Sequence, residues 1–170
     1  MRNLLILLLL CTNLVSFAQL NDKEQVVFDE INRVRTNPKA YIPVIDEFLE
    51  FWDSDAEERE AANELINELR TMKPVAPLIF SPDLYKSCKK HGNYVKTTKK
   101  FIHSDCNCGE NMQYGNESAV FAVCDLLIDN GVPNRQHRKN ILNPEFSEFA
   151  VFYVAKINDE MEFFFVQQFK

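Results

Sequence analysis

Glycine is scarce in this chain. Only four occur in 170 residues, and none falls in a G-x-G-x-x-G or G-x-x-x-x-G-K-[ST] pattern. A glycine-rich phosphate cradle of the usual kind is therefore excluded. There is no G-x-S-x-G either, so no serine nucleophile elbow is present. Basic residues are outnumbered, 19 against 25 acidic, for a net charge of −6. That balance argues against a nucleic-acid binder, which carries a basic face, and gives no polybasic signal for an anionic membrane. Beyond residue 18 no apolar run approaches the length of a spanning helix. What is present is core material: 14 Phe and five Tyr in a chain that is 46% apolar and 26% charged. This is globular composition, at a length that suits one domain and is short for two.

The N-terminus reads as a secretory signal peptide over residues 1–18. A short basic start at Arg2 leads into the unbroken apolar run Leu4 to Leu10, and small residues stand at Ser16 and Ala18. Cleavage after Ala18 starts the mature chain at Gln19 with 18 basic residues against 25 acidic, a charge of −7. The product is expected to be secreted, either to a periplasm or outside the cell.

Export changes how the cysteines read. Cys88, Cys106, Cys108 and Cys124 remain, an even number in an oxidising compartment, which suggests two disulfides. Pairing Cys106 with Cys108 is disfavoured because one intervening residue strains the bridge. Cys88 and Cys124 are then expected to take one of that pair each. Two rival readings stand beside this: buried free thiols, and a metal held by cysteine sulfur near His103.

Apolar spacing places helices over Lys23–Arg35, Tyr41–Phe51, Glu57–Met72, the segment after Ser81-Pro82 to Val95, Ser118–Asp129, and a short turn from Arg135. The acidic residues Glu57, Glu58, Glu60 and Glu64 read as a solvated helix face. Residues 97–116 lack a long periodic run and read as a functional loop. Phe149–Ala155 and Glu162–Phe169 flank Asn158-Asp159 and read as an antiparallel hairpin. Helices first and hairpin last make an α+β fold.

Three histidines carry the chemistry that is available. His91 sits on the inward face of its helix and is expected to be buried against a carbonyl. His103 and His137 stand in irregular or terminal positions. Glu110 follows Gly109, a residue that permits close backbone approach. Asp129 ends a helix, where the macrodipole disfavours a carboxylate, as a residue placed for a site would. If they converge, the two imidazoles can hold a divalent metal and the two acids can orient them.

The stretch Gly109-Glu-Asn-Met112, followed by Leu126-Leu-Ile-Asp129 and His137-Arg-Lys-Asn-Ile-Leu142, resembles the CAP (SCP-like) superfamily. That superfamily comprises cysteine-rich secretory proteins, antigen 5 and pathogenesis-related class 1 proteins, and the likeness is to its bacterial secreted branch. Phe28–Pro38 and Ser81–Val95 resemble the first two helices of such domains. The resemblance implies a three-layer α-β-α sandwich around a central antiparallel sheet over residues 19–170, with a helical insertion at about 53–73. It implies a cleft with a His-Glu-Glu-His tetrad, carried here by His103, Glu110, Asp129 and His137. The chain departs from the pattern twice: Leu126 stands where the family carries Trp, and Asp129 is one methylene shorter than the usual Glu.

These readings lead to a secreted, non-catalytic binding module whose His103 and His137 hold a divalent metal, zinc first, with Glu110 and Asp129 behind them. Its ligand is left open among a small molecule, a lipid and a protein. One alternative is a tetrad that is purely structural, with partner binding elsewhere on the surface. Another is a metal-dependent hydrolase with Glu110 as general base on a metal-bound water. Arg33, Arg35, Arg135 and Arg138 are considered as an anion site and set against ordinary salt bridges.

Overall fold

The computed structural model describes residues 20–51, 53–116, 118–155 and 163–170. The segment 1–18, expected to be a signal peptide, and the turn expected at Asn158-Asp159 lie outside the described residues. The elements in chain order are α1 (Asp22–Thr36), α2 (Pro38–Phe51), α3 (Ala56–Thr71), β1 (Ile79–Phe80), α4 (Pro82–Thr98), β2 (Gly109–Tyr114), α5 (Ala119–Ile128), α6 (Gln136–Leu142), β3 (Glu148–Ala155) and β4 (Phe163–Phe169). No described helix is long and apolar enough to cross a membrane.

The sheet runs in the order β1-β3-β4-β2. The β2–β4 and β3–β4 pairs are antiparallel, as the hairpin pattern requires. β1 joins β3 in parallel over two residues, so the sheet is mixed and not purely antiparallel. Both sheet faces are covered, which the β3 and β4 side chains reflect by alternating between two cores. Phe149, Val151, Phe165 and Phe169 join the larger core with residues of α1, α2, α3, α5 and α6. Ala150, Val154, Phe164 and Val166 face the opposite way, onto Leu84, Cys88 and Val95 of α4. The result is an α+β fold in three layers, with α4 alone on one side.

Local chemistry sets the helix ends. Asn21 caps α1 by accepting from Glu24 N at 3.0 Å, while the Glu24 carboxylate accepts from Asn21 N at 2.9 Å. Glu24 is fully buried and also accepts from Tyr153 N and Tyr85 Oη, which ties α1 to β3 and α4. Asp55 caps α3. α2 starts at Pro38, earlier than the sequence pattern indicates, and carries Pro43 inside it. The α-helix continues past Pro43, and the bond lost with its N–H is the one to the carbonyl of Lys39, an exposed residue. α4 lies close on the sheet at Gly92, where an added Cβ would meet Phe152 Cδ1 at 2.8 Å and Val154 Cγ2 at 2.9 Å.

Two expectations are corrected here. Residues 97–116 are not all loop, since their end forms β2. Glu110, Asn111 and Gln113 put polar groups on both faces of that strand, so no hydrophobic alternation marks it. The disulfide joins Cys106 to Cys108, the pairing that was disfavoured. A bend at Asn107 and Cys108 brings the two Cα atoms to 5.3 Å, within ordinary bridge geometry. Cys88 and Cys124 are free and buried, one in each core, with the sheet between them. They cannot meet one another. With Cys106 and Cys108 bonded together, neither sulfur is available as a metal ligand.

Candidate functional site

The site is built where the loop after α4, strand β2 and the start of α6 come together. Glu110 lies in β2 opposite Gln168 of β4, on the α4 side of the sheet. Its carboxylate accepts from Gln168 Nε2 at 2.8 Å, from Ser104 N at 2.8 Å, from the Ser104 hydroxyl, and from His103 Nδ1 at 2.9 Å. Burial works to raise the Glu110 pKa, but the hydrogen bonds from Ser104, Gln168 and His103 outweigh it and hold the group below the ordinary carboxylate range. Gly109 beside it lies close to the Phe146 ring, where an added Cβ would stand 3.0 Å from the ring atoms.

Asp129 provides the second acid. It ends α5 in the left-handed conformation, with φ 60° and ψ 44°. Its carboxylate then turns toward α6, accepting from His137 N at 2.8 Å and His137 Nδ1 at 2.7 Å, with Arg138 N at 3.4 Å. The residue before α6, Arg135, supplies no side-chain cap, so Asp129 does that work from seven residues upstream of α6. The misfit at one helix end becomes a favourable charge at the start of the next.

The two imidazoles converge, with ring centroids 6.5 Å apart. The structure therefore brings His103, Glu110, Asp129 and His137 together as two carboxylate–imidazole pairs. Because a carboxylate only accepts, each Nδ1 is the donor in its pair, so in the neutral ring Nε2 is the nitrogen with the lone pair. The His103 side chain is 59% exposed, whereas Glu110 is 5% exposed, so the imidazole faces the solvent and its acid stands behind it. The His137–Asp129 pair is more enclosed, at 21% and 2%. Among the described residues no group of three or more His, Cys, Asp or Glu is disposed to hold a metal.

A second set of residues holds this arrangement from below, and the sequence reading did not single them out. Asn140 of α6 donates to Asn111 Oδ1 at 2.8 Å and to the Glu110 carbonyl at 3.3 Å. Asn111 Nδ2 reaches the His137 carbonyl at 3.2 Å and Gln167 Oε1 at 3.3 Å. These amides lock α6 to β2 and so fix the distance between the histidines. Gln168 and Ser104 do the same for Glu110. Asn111 and Asn140 carried a signal in sequence as members of the Gly109–Met112 and His137–Leu142 stretches, whereas Gln167 and Gln168 depend on strand register.

His91 lies apart from the site, buried, with Nε2 donating to the Ile102 carbonyl at 2.8 Å as expected. The four arginines do not form an anion site. Arg35 is fully buried and donates to the carbonyls of Ala76, Ile141, Asn143 and Phe146. Arg138 donates to those of Leu127, Ala61 and Ile128. Arg135 bonds Glu57 and Glu64 of α3, and Arg33 pairs with Glu30. The acidic face of α3 is thus partly an ion-pair surface for α6, not simply a solvated one.

Comparison with curated proteins returns no match. The model of the cysteine-rich secretory protein family, CAP, matches residues 64–169, from the middle of α3 through β4. That span includes both carboxylate–imidazole pairs and the entire sheet, and the chain belongs to the cysteine-rich secretory protein (CAP) family.

Proposed function

We propose that this chain is a secreted binding module whose His103 and His137 hold a divalent metal ion, zinc first, in a cleft with no catalytic step of its own. The observation that carries the reading is the pairing of each Nδ1 with a buried carboxylate, 2.9 Å at His103 and 2.7 Å at His137. That pairing makes Nδ1 the donor and orients each ring, the usual arrangement behind a zinc-bound histidine. The donor set suits zinc because it offers imidazole nitrogen. A bound ion would supply a Lewis-acid centre with positions left for donor atoms of a ligand. The pattern in residues 1–18 supports secretion.

The hydrolase alternative needs Glu110 as a base, yet its carboxylate already accepts from four donors, which leaves it poorly placed to take a proton. A purely structural tetrad is opposed by the 59% exposure of His103, since a brace is normally buried.

The test is zinc calorimetry on the mature, EDTA-stripped protein beside a folded His103→Ala/His137→Ala variant. One zinc bound by wild type and none by the variant supports the reading. Equal binding by both, or none by either, overturns it. A structural tetrad would instead make His103→Ala lower the melting temperature equally with and without metal.

A further inference from the structure

We propose that the Cys106–Cys108 disulfide is a thiol–disulfide exchange site for a thiol-bearing peptide segment docked in the cavity beside Cys106. This inference does not depend on metal binding at the histidines.

Three observations carry it. The bridge spans a single residue, Asn107, so it closes a minimal loop. A disulfide stabilises mainly through the loop entropy it removes, and that gain is smallest for the shortest loop. This bond therefore does little to hold the fold, which two separate cores already support. Both cysteines are only partly buried, and exposed disulfides are the labile and reactive ones. Finally, two cavities adjoin the bond: the one of about 410 Å³ is lined by Cys106 and not by Cys108, while a second of about 320 Å³ is lined by both.

The first cavity has the chemistry of a peptide-thiol site. Tyr94 and Ile102 contribute exposed apolar surface, at 43% and 51%, on which a side chain of the peptide can lie. Lys90 lines it and favours an incoming thiolate, against one carboxylate from Asp105. The remaining thiols cannot interfere. Cys88 and Cys124 are buried, and burial pushes both thiols up, Cys124 to about 12.

The step follows from this placement. A peptide thiolate attacks Cys106 Sγ, forming a mixed disulfide, and the Cys106–Cys108 bond breaks with its electron pair leaving on Cys108. The peptide's second thiolate then attacks the peptide sulfur of the mixed disulfide and releases Cys106. The peptide dithiol is oxidised to a disulfide, the protein disulfide is reduced, and the two peptide protons end on Cys106 and Cys108. A small-molecule disulfide of the glutathione class restores the starting bond.

The test uses the oxidised mature chain in EDTA with a synthetic peptide carrying two cysteines beside aromatic residues, quenched in acid, alkylated and weighed by mass spectrometry. One peptide disulfide should form per protein disulfide consumed, at about ten times or more the rate given by oxidised glutathione at equal concentration. Ile102→Asp should slow the peptide severalfold and leave the reaction with dithiothreitol unchanged. Cys108→Ser, given a single-cysteine form of the peptide as its disulfide dimer, should hold one peptide on Cys106 as a mixed disulfide and release the other as a thiol. A rate no higher than glutathione, equal slowing of both thiols by Ile102→Asp, or trapping at Cys88 or Cys124 would overturn the proposal. Should Cys108→Ser not fold, the wild-type stoichiometry and the Ile102→Asp comparison decide it.

Discussion

Asp129 ends one helix and starts the next by bonding His137 twice. Its carboxylate takes the backbone N–H at 2.8 Å and the ring Nδ1 at 2.7 Å, so α6 and the His137 tautomer are set by the same group. Asp129→Asn separates the two roles. Asn tolerates the left-handed backbone and keeps one acceptor for the cap, but its amide has no negative charge for the ring. The expected result is a small stability loss, about 1 kcal/mol or less, with zinc affinity reduced about 10- to 100-fold. Thermal melts and calorimetry on the same sample check it, and an unchanged zinc affinity would count against the assigned role.

Asp125 gives the pH dependence. It is half-buried beside Gln113, whose Nε2 donates to it at 3.1 Å. Burial pushes its carboxyl above the ordinary range. Below the unfolded value of about 3.9 the acid is neutral in both states and its full contribution is present. As pH rises through the folded value, the ionised form must stay buried and stability is lost. Asp125→Asn keeps an acceptor for Gln113 and removes that charge. It should melt above wild type at pH 7 and lose the advantage below about pH 4. A constant difference across that range would show that the charge is not the cause.

Arg35 and Arg33 are two residues apart and should behave in opposite ways. Arg35 binds four carbonyls from chain segments 41 to 111 residues distant. Arg35→Met removes the side-chain donor from all four, although the Asn143 carbonyl still accepts from Phe146 N, and should cost about 3–5 kcal/mol, at a typical 1–3 kcal/mol for each carbonyl that water cannot reach. Arg33 is exposed, with its Glu30 partner 3.4 Å away, so Arg33→Met should change stability by about 0.5 kcal/mol or less. Urea unfolding of both variants makes the comparison.

Gly92 tests how closely α4 lies on the sheet. Alanine favours helix by about 1 kcal/mol, yet its Cβ would meet Phe152 at 2.8 Å. Overpacking of this kind costs about 1–3 kcal/mol. Gly92→Ala should therefore destabilise in net, by about 1 kcal/mol, and a rise in melting temperature would show that the helix moves aside freely.

The sequence was informative wherever the signal was local. Val27, Ile31 and Val34 sit at helical spacing and all three are buried in α1, while Leu84, Cys88, His91 and Val95 are the inward face of α4. The two β-rich segments pair as β3 and β4 because alternation and a turn are read within a few residues. His103, Glu110, Asp129 and His137 were legible as candidates through residue type and motif. Their grouping into two bonded pairs was not, since that rests on β2 lying beside β4 and α6 packing on β2.

The cysteines mark the limit most clearly. Counting them suggested bridges from Cys88 and Cys124, and only the fold shows these two on opposite faces of one sheet while a bend joins Cys106 to Cys108. The arginines behave alike: Arg33 and Arg35 look equivalent in sequence, and tertiary packing makes one a surface charge and the other a buried donor to four carbonyls. Periodicity and capping are properties of neighbouring residues, so the chain by itself determined its helices, its hairpin and its list of candidate groups. Bonds between residues far apart in the chain depend on how the layers stack, so the tertiary structure alone decided the register of β2, the disulfide and the geometry of the cleft.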